Sequence, residues 1–484
     1  MWTGVLYAVN ALLNLGLALA LAWVLPAATY GAFTLYFATS LLISHVSFDW
    51  IRSSAMRFYT PLARAQEPAL RATLDFAMAC STGLVAILAL LFAALGVLPE
   101  ASPLALVALV AVTLTNAAFE YWTALCRARF DIRRYAVMVA SRNFLTFGLT
   151  VPVAALTHSF ALSLIAFAVA ILPSALYGAL NLHDKAARPR LATRTLAWRF
   201  ARYATPLVLA EGCYLMIAVA NRSFLAQAAS LAEAGAYALT FDLALRVLSV
   251  MASIGDAVLF PRLVANLHVQ GAARTREAIS RNVAVMLLVL TPAALGFALV
   301  AGPVAQLLLA EHFREAFTRY TPVAVGAAFA YAAQTFVLRP AFAVELRTAD
   351  MPLAAVAALL ADLALLLVLP GGGMFAASIG HLAGMCLGLV LVLRRAALSR
   401  LIDWPFRDIG KVGLAALLLA AAVTPLAFPG HALATLIARG LCGGCVYCAV
   451  VWFLDVAGLR DFLRREPRSA DRAPPSARPG ATPI

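Results

Sequence analysis

Charge is scarce in this chain. Asp, Glu, Lys and Arg make up 12% of its 484 residues, against 63% hydrophobic ones. An ordinary soluble domain is about 45–50% apolar, so that class is excluded, and the mean hydropathy of +0.89 points the same way. No Lys or Arg precedes Arg52. A secretory leader needs a basic start, so the first apolar segment is expected to be retained. Clustered histidines are missing too. Cys442, Cys445 and Cys448 form a CxxCxxC run, but inside an apolar segment, whereas a structural zinc site wants four ligands, usually on loops. These thiols read as packing residues. The scattered Cys80, Cys126, Cys213 and Cys386 imply no disulfide framework. Neither a metal nor any other cofactor is expected. Long polar stretches between the apolar ones are also lacking, which leaves no room for an inserted soluble catalytic domain.

What the chain has instead is long hydrophobic runs. Fourteen lie near 2–25, 31–51, 74–98, 103–126, 136–157, 160–181, 203–226, 235–259, 282–302, 321–338, 352–370, 374–393, 411–428 and 431–454. Each is close to the roughly 20 apolar residues that cross ~30 Å of hydrocarbon as a helix. Basic residues fall in every second gap: 31 Lys and Arg lie in the even-numbered gaps and the tail. Towards the other side lie only Arg222, Arg314 and Arg319, while Arg142, Arg246 and Arg439 fall within spans. By the positive-inside rule both termini and the even gaps are cytoplasmic, which predicts a multi-pass protein of a bacterial inner membrane. The net charge of +14 is then a topological signal facing anionic membrane lipids rather than a nucleic-acid footprint.

The basic gaps 52–71, 183–202 and 261–281 carry apolar residues between their charges. The first and last of them read as short amphipathic helices at the interface. Residues 456–484 have too little apolar content to fold and are expected to form a disordered cytoplasmic tail. The second span opens GAFTLYFATSLL at Gly31 and the eighth opens GAYALTFDLALR at Gly235, an offset of 204 residues. That match divides the spans into two units of six, and an even number of crossings makes the repeats parallel. The expected fold is an all-α polytopic membrane protein of about 14 transmembrane helices. Two parallel six-helix lobes at 1–200 and 201–400 are followed by two extra helices at 401–455.

Ionisable residues within lipid cost several kcal/mol and normally face a cavity or a partner. Asp242 and Arg246 lie four apart on the eighth span and share a helix face, with Arg246 roughly 16 Å from Gly235, near the midplane. They predict either a polar chamber between the lobes, with Arg246 as its deep cation, or a mutually neutralising pair. Glu211 lies roughly 12 Å from the cytoplasmic side of the seventh span, and Arg222 towards its outer end. Asn10 and Asn14 share a face of the first span. Asp362, mid-span in the eleventh, is a candidate ion-coupling carboxylate. Glu120 is expected to pair with Arg127 or to snorkel, and Asp49, Arg52, Arg142 and Asp256 read as interfacial. Arg439 has no partner nearby in sequence. Pro206, Pro292 and Pro322 are possible pivots within helices, and Gly384 with Gly388 permits close helix packing.

YGAFTLYFATSLL, GAYALTFDLALR, the span ending DAVLFPRL before a basic gap, and GGGMFAASIGHLAG together resemble the polysaccharide-exporter branch of the multidrug/oligosaccharidyl-lipid/polysaccharide flippase superfamily, over the first twelve spans. The resemblance implies a central cavity lined by spans 1, 2, 7 and 8. It also implies alternating access that carries an undecaprenyl-pyrophosphate-linked oligosaccharide to the outer leaflet, with no enzymatic step. The small number of cavity arginines expected in the first half favours an O-antigen or exopolysaccharide unit over a peptidoglycan one. Arg246 and Arg222 would hold the pyrophosphate, Asn10 and Asn14 would contact sugar hydroxyls, and Glu211, Asp242 or Asp362 would exchange the coupling ion. A polysaccharide polymerase and chain-length proteins are the candidate protein partners. Two alternatives stand beside this reading: a cation-coupled multidrug antiporter of the same architecture, and a membrane-embedded polysaccharide polymerase, which would typically carry a large outer loop.

Overall fold

In lipid no water can hydrogen-bond the main chain, so each apolar run must satisfy its own amides and carbonyls as a helix. The computed structural model describes residues 2–184, 186–344, 351–369, 371–399, 402–458 and 460. For 2–12, 62, 65, 254, 256–258, 260–275, 343, 344 and 351 it describes the backbone alone. In order, the helices are α1 (Trp2–Val24), α2 (Ala27–Phe58), α3 (Pro61–Gln66), α4 (Pro68–Ala94), α5 (Pro103–Ala128), α6 (Ile132–Thr157), α7 (Phe160–Asn181) and α8 (Arg194–Ala228). They continue as α9 (Leu231–Leu299), α10 (Ala301–Leu308), α11 (Glu311–Ala332), α12 (Arg339–Val344), α13 (Met351–Val368), α14 (Gly373–Leu398), α15 (Phe406–Val423) and α16 (Ala432–Leu454).

Local chemistry fixes many of the starts. Thr60, Ser102, Ser159, Thr193 and Ser230 each accept a main-chain N–H of the first turn on the side-chain hydroxyl, and Asp131 does so with its carboxylate. Proline occupies the opening turn of α3, α4 and α5, where its missing N–H costs nothing. Eleven helical segments among the described residues are long and apolar enough to cross a membrane, and two shorter apolar ones accompany them. With α15, the fourteen apolar runs all fall on helices. This is an all-α, multi-pass membrane fold.

α9 differs from expectation. Its backbone is helical through 260–281, where a separate interfacial helix was expected; the side chains of 260–275 and of Asp256 lie outside the described residues. A straight helix would put Gly255 and Met286 roughly 46 Å apart. Met286 Sδ instead lies 2.6 Å from where a Cβ on Gly255 would sit, so α9 bends back on itself between its two apolar halves. The gap 52–71 holds the end of α2, the short α3 and the start of α4, and α8 begins at Arg194 within the basic gap 183–202. The tail from 461 lies outside the described residues.

α2 packs along α8 and α9, and α1 reaches α6 and α9. Helices α11, α13 and α14 close around α8 and α9, while α15 and α16 pair with each other and lean on α9 and α10. At the start of α2, a Cβ on Gly31 would lie 1.7 Å from Leu231 O, and one on Gly235 would lie 3.0 Å from Ala27 O and Gly31 N. Close approach of α13 and α14 rests likewise on Gly384, whose Cβ would meet Ala358 O at 2.5 Å. At the opposite end of the first helices, Asp184 accepts from Arg64 Nε and Tyr59 Oη, both at 2.9 Å. Burial pulls the Asp184 carboxyl up, but the Arg64, Tyr59 and Ala186 N–H bonds outweigh it and hold the group below the usual carboxylate range.

Candidate functional site: two adjoining cavities

A cavity of about 240 Å³ lies where α2, α8, α9, α11 and α14 converge. Its polar groups are Glu211, Arg222, Asp242, Arg246 and His381, set among aromatic and small apolar walls. Arg222, 3% exposed, donates from Nη2 to Asp242 Oδ1 at 2.5 Å and from Nη1 to Thr34 O at 2.9 Å. The carboxylate expected to neutralise Arg246 is therefore bonded to a different arginine. Among the described residues, the hydrogen-bond partner of Arg246 is a neutral one: its Nη1 donates to Asn14 O at 2.9 Å. Glu211 accepts from Tyr331 Oη at 3.0 Å. Tyr237 Oη sits 2.5 Å from His381 Nδ1, and the His381 ring stacks on Phe241. His381 lies within the twelfth span, in the glycine-rich stretch that opens it, and no charge pattern singled it out.

A second cavity, about 260 Å³, opens among α2, α4, α5, α6 and α8 and shares Leu41, Glu211 and Leu215 with the first. An ion-pair chain lines it. Asp49 pairs with Arg52, Arg52 reaches Glu120 at 3.3 Å, and Glu120 faces Arg142 at 3.6 Å. Arg142 Nη2 donates to Asn116 Oδ1 at 3.0 Å, and His45 Nδ1 lies 3.6 Å from Asp49. This corrects one expectation. Glu120 pairs with Arg52 and Arg142, not with Arg127. Arg142, about 15 Å along α6 from Ile132, turns into this cavity. Two arginines of the first half, Arg52 and Arg142, line this cavity, each matched by a carboxylate.

The other expected residues lie apart. Asn14 turns its amide towards Asn143 Oδ1, 3.5 Å away, and meets Arg246 only through its main chain. The side chain of Asn10 lies outside the described residues. Asp362 is fully buried between α13 and its neighbours, with both carboxylate oxygens 2.9 Å from Asn221 Nδ2. It lines neither cavity. Arg439, without an evident partner in sequence, donates to Leu426 O at 2.7 Å and Leu299 O at 2.6 Å, satisfying a carbonyl at the C-terminal end of α9. Sequence reading also missed Gln334. A π-helical turn, Ala333–Leu338, follows α11, and there Gln334 accepts from Tyr214 Oη at 2.8 Å.

No family model matches the sequence, and no curated protein matches it. Solved structures do match the fold. The lipid II flippase MurJ, in an inward closed conformation, superposes with a TM-score of 0.72 at 11% identity, over 95% of this chain and 99% of that one. An inward-facing multidrug resistance MATE family transporter of the MOP superfamily gives 0.61 at 13% identity, over 81% and 96%. The Vibrio cholerae MATE transporter VcmN gives 0.54 at 13% identity, over 82% and 95%. At these identities the likeness establishes a shared fold, that of flippases and transporters.

Proposed function

We propose that this chain is a flippase of the multidrug/oligosaccharidyl-lipid/polysaccharide superfamily. It moves an undecaprenyl-pyrophosphate-linked sugar unit across the bacterial inner membrane by alternating access, for O-antigen or exopolysaccharide synthesis. The lobes are residues 1–200 and 201–400, and both termini are cytoplasmic, in keeping with the one-sided arginines. The observation that carries the reading is Arg246, a cation facing a membrane-embedded cavity and bonded to a backbone carbonyl. A pyrophosphate crossing hydrocarbon needs such a charge-assisted donor, and Arg222 is already committed to Asp242. With α2 starting on the outer side, the contacts Gly31–Gly235 and Arg222–Thr34 close the outer end, so substrate enters from the cytoplasmic leaflet. Glu211, Asp242 and Asp362 are the ion-coupling candidates.

A cation-coupled multidrug antiporter is the second reading. It is favoured by Glu211 and by the aromatic walls of the first cavity, which would suit an apolar cation. One experiment separates the two. In cells whose only copy carries Arg246→Ala, surface polysaccharide is lost while the protein stays in the membrane at its normal level. Normal polymer, with raised drug sensitivity in the null strain, would instead establish the antiporter.

A further inference from the structure

The second cavity differs in chemistry from the first. Arg52 and Arg142 stand against Asp49 and Glu120, so the pairs cancel and leave no spare cation for a phosphate. An apolar ligand would strip water from these groups without replacing its bonds, which is costly. Two groups in the wall have bonding capacity in hand: Ser44 Oγ and Asn116 Nδ2 have no hydrogen-bond partner among the described residues, although both residues are buried. A ligand that fits is uncharged and carries groups that both donate and accept. Hydroxyls do so, satisfying carboxylate, guanidinium and amide alike. The rings of Phe48 and Tyr121 supply an apolar wall beside these polar groups.

We infer that this cavity is the subsite for an uncharged sugar residue of the lipid-linked substrate. The inference rests on the flippase reading, because the shared wall at Leu41, Glu211 and Leu215 puts the sugar next to a pyrophosphate held on the Arg246 side. The sequence hid this site because hydropathy placed its charges near span ends. Asn116 and Ser44 are the selective contacts, and the Arg52–Glu120–Arg142 chain orients Asn116 through Arg142.

The test uses the full chain in lipid nanodiscs with two probes, undecaprenyl pyrophosphate and undecaprenyl-pyrophosphoryl-N-acetylglucosamine. Wild type is expected to bind the glycosylated lipid more tightly. Asn116→Ala lowers that affinity about tenfold, to the level of the bare lipid, whose own binding moves by less than about twofold. Ala117→Leu, which fills the cavity without touching an ion pair, does the same, so the loss cannot be assigned to collapse of the network. Arg246→Ala weakens both probes. Equal wild-type affinity for the two lipids, or equal loss on both in Asn116→Ala and Ala117→Leu, overturns the subsite and leaves the flippase reading standing. Failure of wild type to bind either lipid, or indifference of both to Arg246→Ala, overturns the flippase reading and the subsite with it.

Discussion

Gly31 of α2 and Gly235 of α9 pack main chain against main chain, and they occupy the same position in a repeated segment, 204 residues apart. Each opens a Gly-Ala-aromatic sequence one turn into its helix. The repeat is therefore visible where its two copies touch, and the contact is possible because neither residue has a side chain. That point lies one turn from Thr34, whose carbonyl Arg222 holds beside the first cavity, so the two copies of the repeat meet at that end of it.

The two glycines are not equally tight. Gly31→Ala would set its Cβ 1.7 Å from a carbonyl oxygen, whereas Gly235→Ala meets its nearest atom at 3.0 Å. Backbone cannot rotate away as a side chain can, and overpacking of this kind costs about 1–3 kcal/mol. Gly31→Ala is expected to part α2 from α9 and expose the outer end. In a cysteine-free background, Thr34→Cys should then react several-fold faster with a membrane-impermeant maleimide, while Gly235→Ala has a smaller effect. Unchanged labelling in Gly31→Ala would show that the contact does not gate access.

Arg222 and Asp242 form the second element of that closure. Removing the carboxylate leaves a buried guanidinium with only a carbonyl partner, and breaking a buried pair typically costs about 3–5 kcal/mol. The Asp242 side chain is 38% exposed, so Asp242→Asn is placed below that range, at about 2–3 kcal/mol. The double variant Arg222→Met/Asp242→Leu removes both charges and should be the more stable of the two. Thermal melting followed by fluorescence-detected gel filtration decides this. A double variant less stable than Asp242→Asn alone would mean that Arg222 acts mainly through Thr34.

Among the described residues each of the fourteen apolar runs falls on a helix, eleven of them on segments long and apolar enough to span, because burial in lipid is a property of each segment by itself. Arg246 and Glu211 were legible as cavity groups for the same reason: a mid-span charge needs explaining wherever its partner lies. Partner choice was not legible. Asp242 is four residues from Arg246 and twenty from Arg222, yet packing of α8 against α9 gives it to Arg222. The Arg52–Glu120–Arg142 chain joins three helices, so its pairing depends on packing between segments far apart in sequence. The fold-back of α9 had no local signal at all, since its backbone keeps helical bonding through the basic gap.

The Asp184 clasp gives a pH dependence of defined sign. A carboxyl lowered in the folded state stabilises the fold above its unfolded pKa, about 3.9, and that contribution is lost as pH falls through the lowered native value. The melting temperature of wild type should therefore drop towards that of Asp184→Asn as pH falls from 6 to about 3, with the full gap between them present at pH 6 and above. A gap that widens on acidification has the wrong sign and would remove Asp184 from the account.

Asp362 distinguishes a structural carboxylate from a coupling one. It is fully buried, its single hydrogen-bond donor among the described residues is Asn221, and Gly380 and Gly384 press α14 against it. Asp362→Asn keeps the shape and can still meet Asn221 amide to amide, so packing should change little, by less than about 1 kcal/mol. What it removes is the capacity to take up and release a cation. If Asp362 couples transport, the variant should reach the membrane normally and melt near the wild-type temperature. Its surface polysaccharide should be low and insensitive to a protonophore or a sodium ionophore, which both depress the wild type. Gly384→Val is the packing control: its side chain would strike Ala358 O, so it should lower the melting temperature without abolishing ionophore sensitivity in the protein that still folds. An Asp362→Asn variant that keeps wild-type polysaccharide and wild-type sensitivity would return the residue to a purely structural role and leave Glu211 and Asp242 as the coupling candidates.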